Sequence, residues 1–177
     1  IKGRVIKVLP HGTDPTDNDL IYTYTYDGEN HKIAFKDPGK EEAINVYNKQ
    51  RKSVAIQDFQ MRSQNKWLIY EYDEYGRNIR TGAIAAQGVN KPNPETVTAT
   101  EVWTDIYYGS SGVETNKMLS KTIGVFDGFN LLPQKINFVF DYDQYGRLEK
   151  KSHTSHLGGI TEEDQFEYDF AGNVLSS

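Results

Sequence analysis

The chain has 177 residues, with 25 acidic and 20 basic side chains, a formal charge of −5 and no cysteine. It therefore has no disulfide framework and no thiol redox chemistry, and its scattered basic residues leave no footprint for a phosphate backbone. At this length it can bury most of its apolar surface as one large or two small domains without help from metals, while 12 tyrosines, 8 phenylalanines and the lack of apolar residues at three-and-four spacing favour strands.

In chain order, extended segments are expected near 4–9, 20–26, 31–36, 53–60, 66–73, 77–84, 97–108, 117–126, 134–142, 147–153, 163–168 and 173–176. His11 to Asn18, rich in Asp, Pro and Thr, reads as a loop. Lys40-Glu41-Glu42-Ala43-Ile44-Asn45-Val46-Tyr47 is the best helix candidate: Asp37-Pro38-Gly39 opens it and acids fill its first turn, although Ile, Val and Asn make it marginal. Residues 87–95 carry prolines among polar residues. The whole chain, 1–177, is expected to be a single β unit, with two sub-halves, 1–88 and 96–177, joined there. Tyr108 to Asn116 reads as a second, glycine- and serine-rich loop. No eighteen-residue apolar run occurs, so no membrane span is expected in this segment.

Three octets repeat a single pattern, aromatic-x-Tyr-Asp-x-x-Gly-(Arg/Asn). They are Tyr70-Glu71-Tyr72-Asp73-Glu74-Tyr75-Gly76-Arg77, Phe140-Asp141-Tyr142-Asp143-Gln144-Tyr145-Gly146-Arg147 and Phe166-Glu167-Tyr168-Asp169-Phe170-Ala171-Gly172-Asn173. In a strand alternate residues face opposite ways, so Tyr70 and Tyr72 share a face, as do Phe140 with Tyr142 and Phe166 with Tyr168. The aspartate is placed to accept a hydrogen bond from the backbone N–H two residues on, and the glycine to adopt the positive φ that closes a type I turn with a bulge. Each octet is read as a strand, a turn and the start of a returning strand. Two residues past the glycine, Leu148 and Val174 are apolar but Asn78 is not, which suggests a shifted register in the first copy. Tyr26-Asp27-Gly28 and Phe126-Asp127-Gly128 add two Asp-Gly hairpin signals, for five expected tips.

These octets resemble the YD repeat of the RHS/teneurin family, here of the bacterial cell-surface or secreted type, whose members build large β shells from tandem hairpins. Gln64-Asn65-Lys66-Trp67-Leu68 and His156-Leu157-Gly158-Gly159 are similar to phrasing in very large proteins of that kind, and the likeness covers roughly the C-terminal two thirds of the chain. It implies an all-β fold, an antiparallel curved sheet of successive hairpins forming part of a larger shell, with Tyr70, Tyr72, Asp73, Gly76, Arg77, Phe140, Tyr142, Asp143, Gly146, Arg147, Phe166, Tyr168, Asp169 and Gly172 as the structural repeat motif. The implied function is structural and non-catalytic: shell wall of an exported protein, at the cell surface or outside the cell, that encapsulates cargo or presents a contact surface. The implied partners are neighbouring repeats, an enclosed C-terminal cargo, or a surface glycan or protein. Gly3-Arg4-Val5-Ile6-Lys7-Val8-Leu9 looks like the returning half of a further octet, and an opening without Met or signal sequence suits a segment of something longer. The acidic autoproteolytic core that follows the last repeats in RHS proteins has no counterpart here, since Asp37-Pro38-Gly39 lies too early, so cleavage activity is not carried over.

Other constellations are weaker. His153-x-x-His156 has metal-ligand spacing but sits at a strand end without Cys. Asp14, Asp17 and Asp19 crowd a loop yet lack the glycine and terminal glutamate of an EF-hand. Asp141 with Asp143, and Glu71 with Asp73, are paired acids of the kind glycosidases use, but recurrence at fixed motif positions argues for turn formation. No Gly-x-Ser-x-Gly elbow or phosphate-binding glycine loop occurs. No catalytic, cofactor or metal residue is assigned. The alternative is a carbohydrate- or ligand-binding β module of a surface glycan system, stacking sugars on Trp67 and Trp103 with Tyr107 and Tyr108.

Overall fold

The computed structural model describes residues 3–86, 90–114, 116–128, 130–154 and 159–176. Its strands are β1 (Lys7–Val8), β2 (Tyr22–Tyr26), β3 (Lys32–Lys36), β4 (Ala43–Tyr47), β5 (Ser53–Gln57), β6 (Lys66–Tyr72) and β7 (Asn78–Ala85). They continue with β8 (Glu101–Tyr108), β9 (Met118–Asp127), β10 (Asn130–Tyr142), β11 (Leu148–Thr154), β12 (Thr161–Gln165), β13 (Glu167–Tyr168) and β14 (Val174–Ser176). A single short helix, α1 (Phe59–Ser63), and two one-turn 3-10 segments are the helical structure among the described residues. From β1 to β12 the strand order is the chain order, and β13 pairs with β14. The fold is all-β and antiparallel, a succession of hairpins, as the alternation and turn chemistry of the sequence imply.

The chain divides into two compact units, Ile1–Glu71 with Gly82–Thr100, and Tyr72–Thr81 with Glu101–Ser177. The first holds a core of Trp67 (2% exposed), Ile69, Ala55 and Ala86, with Ile44, Val46 and Ile84 packed against it. Trp67 and Ile69 are two residues apart on β6 and so share a face; that face is the deeply buried one, while Leu68 and Tyr70 on the other are half-buried. On β5 the register sets Ala55 opposite Ile69 in this core, while Val54, its neighbour in sequence, is buried on the other face. Residues 93–100 stay with this core. Asn93 turns the chain by accepting from Thr96 and Val97, Glu95 Oε1 accepts from Lys49 N at 3.0 Å, and Glu71 Oε1 accepts from Ala99 N at 2.8 Å.

The expected helix at 40–47 is a strand. β4 lies between β3 and β5, with Asn45 opposite Ile56 and Ala34 opposite Ile44, and the β-branched Ile44 and Val46 fit a pleated position better than a helix turn. The acids taken for a helix start serve another element: Arg62 of α1 binds Glu41 Oε2 at 2.7 Å and the Glu42 carbonyl at 2.6 Å. The strand expected over 53–60 ends at Gln57, because Asp58 caps α1 by accepting from Met61 N at 2.8 Å. The extension expected over 4–9 is assigned as strand at Lys7–Val8 alone, with Tyr24 N donating to the Ile6 carbonyl just before it.

The second unit has no buried apolar side chain among the described residues; every one lies in the first. Its strands are held instead by cross-strand pairs. Trp103 meets Phe126 edge-on at 5.6 Å and Phe138 stacks on His153 at 5.4 Å. The edge between β11 and β12 carries Lys150–Glu163 at 2.8 Å, Lys151–Asp164 at 3.7 Å and His153–Glu162 at 3.4 Å.

Candidate functional site

Five turns among the described residues have one construction. Their first residues are Asp27, Asn48, Asp73, Asp143 and Asp169. In each, the backbone N–H of the first residue donates to the carbonyl of the fifth, and the N–H of the fourth donates to the carbonyl of the first, at 2.8–3.2 Å. The fourth residue is left-handed: Asn30 (φ 78), Arg51 (φ 62), Gly76 (φ 77), Gly146 (φ 76) and Gly172 (φ 87). The first side chain caps the turn. Asp73 Oδ1 accepts from Tyr75 N and Arg77 N at 3.0 and 2.9 Å, Asp143 Oδ1 from Tyr145 N and Arg147 N at 2.9 Å each, and Asn48 Oδ1 from Gln50 N and Lys52 N at 3.0 and 2.9 Å.

The second carboxylate oxygen takes the fifth side chain. Arg77 Nε reaches Asp73 Oδ2 at 2.6 Å, Arg147 Nε reaches Asp143 Oδ2 at 2.7 Å, Asn173 Nδ2 reaches Asp169 Oδ2 at 2.8 Å and His31 Nδ1 reaches Asp27 Oδ2 at 2.8 Å. Partial desolvation works against ionisation of Asp27, Asp73 and Asp143, but the hydrogen bonds from the fifth residue and its charge outweigh it and hold each carboxyl below the usual range. Asp169 is held low first by the Asn173 amide and backbone N–H.

The hairpin tip expected at Asp27-Gly28 is present; its left-handed residue is Asn30, and the turn matches the octets. One sequence reading changes. The first octet has no shifted register at its turn: Asp73 N bonds the Arg77 carbonyl as Asp143 N bonds that of Arg147. Asn78 is accommodated by local bonds, its Nδ2 to the Arg80 carbonyl and its Oδ1 from Thr81. The Asn48 turn was missed in the sequence because Asn replaces Asp and Arg51 replaces Gly; Tyr47-Asn48-x-x-Arg51-Lys52 was the available signal. At the other Asp-Gly signal, Asp127 pairs with Asn130 and Gly128 is left-handed (φ 59).

A second regularity joins one turn to the next hairpin. Arg147 lies over Tyr168 at 4.5 Å and donates through Nη1 to the Asp169 carbonyl at 3.2 Å, while Tyr168 OH donates to the Leu148 carbonyl at 2.7 Å. Arg4 repeats this on Tyr26 at 5.6 Å, bonding the Asp27 carbonyl at 3.1 Å, with Tyr26 OH on the Val5 carbonyl at 3.2 Å. Lys117, just before β9, does the same: it lies over Tyr142 at 4.9 Å, its Nζ bonds the Gly146 carbonyl, and Tyr142 OH donates to the Met118 carbonyl at 2.9 Å. Arg77 covers Tyr108 at 4.1 Å and bonds Asn116 Oδ1 at 3.0 Å. His31 stacks on Tyr47 at 4.7 Å, and its Nε2, too short to span as an arginine does, is buried with no hydrogen-bond partner. Arg4 thus occupies the place that Arg147 holds after its turn.

The remaining candidates do not converge on chemistry. Asp14 binds Thr16, Asp17 caps the Asn18–Leu20 turn and Asp19 pairs with Lys36 at 3.1 Å. His153 lies on β11 beside Glu162, and His156 falls outside the described residues. No three metal-ligating side chains come together among the described residues. Both oxygens of Asp73 and of Asp143 are taken up within their turns. The aromatic platform for sugars is corrected by Trp67, which is buried in the first unit's core; Trp103 is half-buried and donates to Glu101 at 2.8 Å. No helix among the described residues is long and apolar enough to cross a membrane.

No family model matches the chain, and no curated protein does. A solved structure of the Photorhabdus luminescens Tc holotoxin pore, with a substitution in TccC3, contains a chain that superposes with a TM-score of 0.52 over 88% of this chain at 14% identity. This chain shares its fold with part of that toxin chain. Two crystal structures of TcdB2-TccC3 assemblies align over 87% at 11% identity, with TM-scores of 0.36 and 0.35, too loosely to bear on the fold. The chain spans about a tenth of the length of each of these matches.

Proposed function

We propose that this chain is a stretch of YD-repeat wall from a large exported protein of the RHS type, without catalytic activity of its own, placed at the cell surface or outside the cell. The observation that carries this reading is the recurrence of one turn five times, with a cation or imidazole set against the next tyrosine in successive hairpins. Such an arrangement is suited to building a sheet by addition, since each hairpin presents the next with the same contacts. The shared fold with a chain of a Tc holotoxin pore supports it. Enclosure of a cargo by neighbouring repeats is the task that best fits, and the use of the motif acids within turns supports a structural role rather than acid–base chemistry.

The test is to isolate the native protein with antibodies raised against this chain, image it by electron microscopy and challenge it with protease. A hollow particle that shields polypeptide from digestion is the expected result. A particle without an interior, or glycoside hydrolysis that disappears in Asp143→Asn, overturns the reading.

A further inference from the structure

We propose that Arg147, the fifth residue of its turn, is a coupling residue: by gripping its own turn and the tyrosine of the following hairpin together, it makes the two hairpins open as one. Arg147 shows the arrangement in full. Nε is committed backwards to Asp143 Oδ2 at 2.7 Å, Nη1 forwards to the Asp169 carbonyl at 3.2 Å, and the guanidinium carbon lies over the Tyr145 ring at 5.0 Å and over the Tyr168 ring at 4.5 Å. A guanidinium can do both because its donors point in fixed, different directions and its faces accept aromatic rings. The return contact, Tyr168 OH to the Leu148 carbonyl, closes a ring of interactions between residues some twenty positions apart.

The cation need not come from an octet turn. Lys117 makes the contact from a loop of different length and composition, and Arg4 makes it on Tyr26. Three settings converge on a cation over the ring of a Tyr-Asp pair, a donor to a turn carbonyl and a phenol donated back, although only two of the cations follow a glycine as in the octets. Cross-hairpin coupling is what they have in common. The need for it is greatest in the second unit, where no apolar side chain is fully buried among the described residues to hold neighbouring hairpins in place.

Hydrogen exchange on the full chain tests this. Asp169 N and Gly172 N are bonded within their own turn, so neither loses its acceptor in Arg147→Ala. If Arg147 couples the hairpins, their exchange nonetheless accelerates about tenfold, alongside Asp143 N and Gly146 N, because sub-global opening now releases the last hairpin separately. Tyr145→Ala, which removes only the contact on the near side, leaves the 169–172 amides unchanged. Arg147→Lys, keeping charge but not the two-way fork, falls between. Acceleration confined to residues 143–148 overturns the proposal, and so does uniform acceleration that includes the Asn48 turn, which would make Arg147 merely a general stabiliser. The proposal stands on contacts in the chain itself, so it holds or fails independently of whether the parent protein encloses a cargo.

Discussion

The two units solve the same problem differently. The first surrounds Trp67 and Ile69 with apolar neighbours. The second has strands as long as β10, thirteen residues, yet all its described apolar side chains keep some contact with solvent. Hairpins can therefore be held in succession either by a core or by repeated polar and aromatic clasps near their turns, and the repeat motif is densest where the core is thinnest. Two of the three octets lie wholly in the second unit, and the first octet's turn belongs to it as well.

The difference is most easily broken at Trp67. Trp67→Ala should cost about 3–5 kcal/mol, as large-to-small changes at fully buried aromatics do; urea denaturation followed by hydrogen exchange should place the loss in residues 43–71 and leave the β10–β11 hairpin nearly as protected as before. Gly146→Ala tests the other strategy. A residue with a side chain at φ 76 is strained by about 1–2 kcal/mol, so this variant should destabilise the second unit by that amount, while Gly146→Asn, which tolerates the left-handed region, should recover part of it. Tyr108→Leu removes the ring under Arg77 at 4.1 Å and should cost about 0.5–1 kcal/mol, measured by the same denaturation series; no change would mean that the clasp is ornamental at this position.

The gentlest probe is pH. Because the turn carboxyls Asp27, Asp73, Asp143 and Asp169 are held below their unfolded range, the stability they confer is present above about pH 4 and is lost as pH falls through their lowered values. Burial shifts Tyr47, Tyr70 and Tyr142 the other way, upward, so folding favours their neutral form, and stability should decline again once pH rises above about 10. Melting temperatures across pH 2 to 11 should show a plateau with both shoulders, and Asp143→Asn should blunt the acidic one. An acidic shoulder identical in the variant would remove Asp143 from the account.

Local chemistry was legible wherever a residue acts on its own neighbours. Asp73, Asp143 and Asp169 cap backbone N–H groups within four positions, and Gly76, Gly146 and Gly172 supply a conformation other residues resist, so the three octets announce their turns. The Asn48 turn hid because the same backbone path was built with Asn and a left-handed Arg51, residues whose types do not demand it. The strand at Ala43–Tyr47 hid because its neighbours, not its propensities, decide it: β3 and β5 offer hydrogen bonds on both sides, and Arg62 claims the acids that imitated a helix start.

By itself, then, the order of residues determined that the chain is antiparallel β and where it doubles back, since alternation and turn capping act over a few bonds. Tertiary structure decided that Trp67 belongs to a core rather than a binding surface, and that Arg4, Lys117 and Arg147 perform one task. Those outcomes depend on which hairpin lies beside which, a matter of contacts twenty or more residues apart that no local pattern encodes.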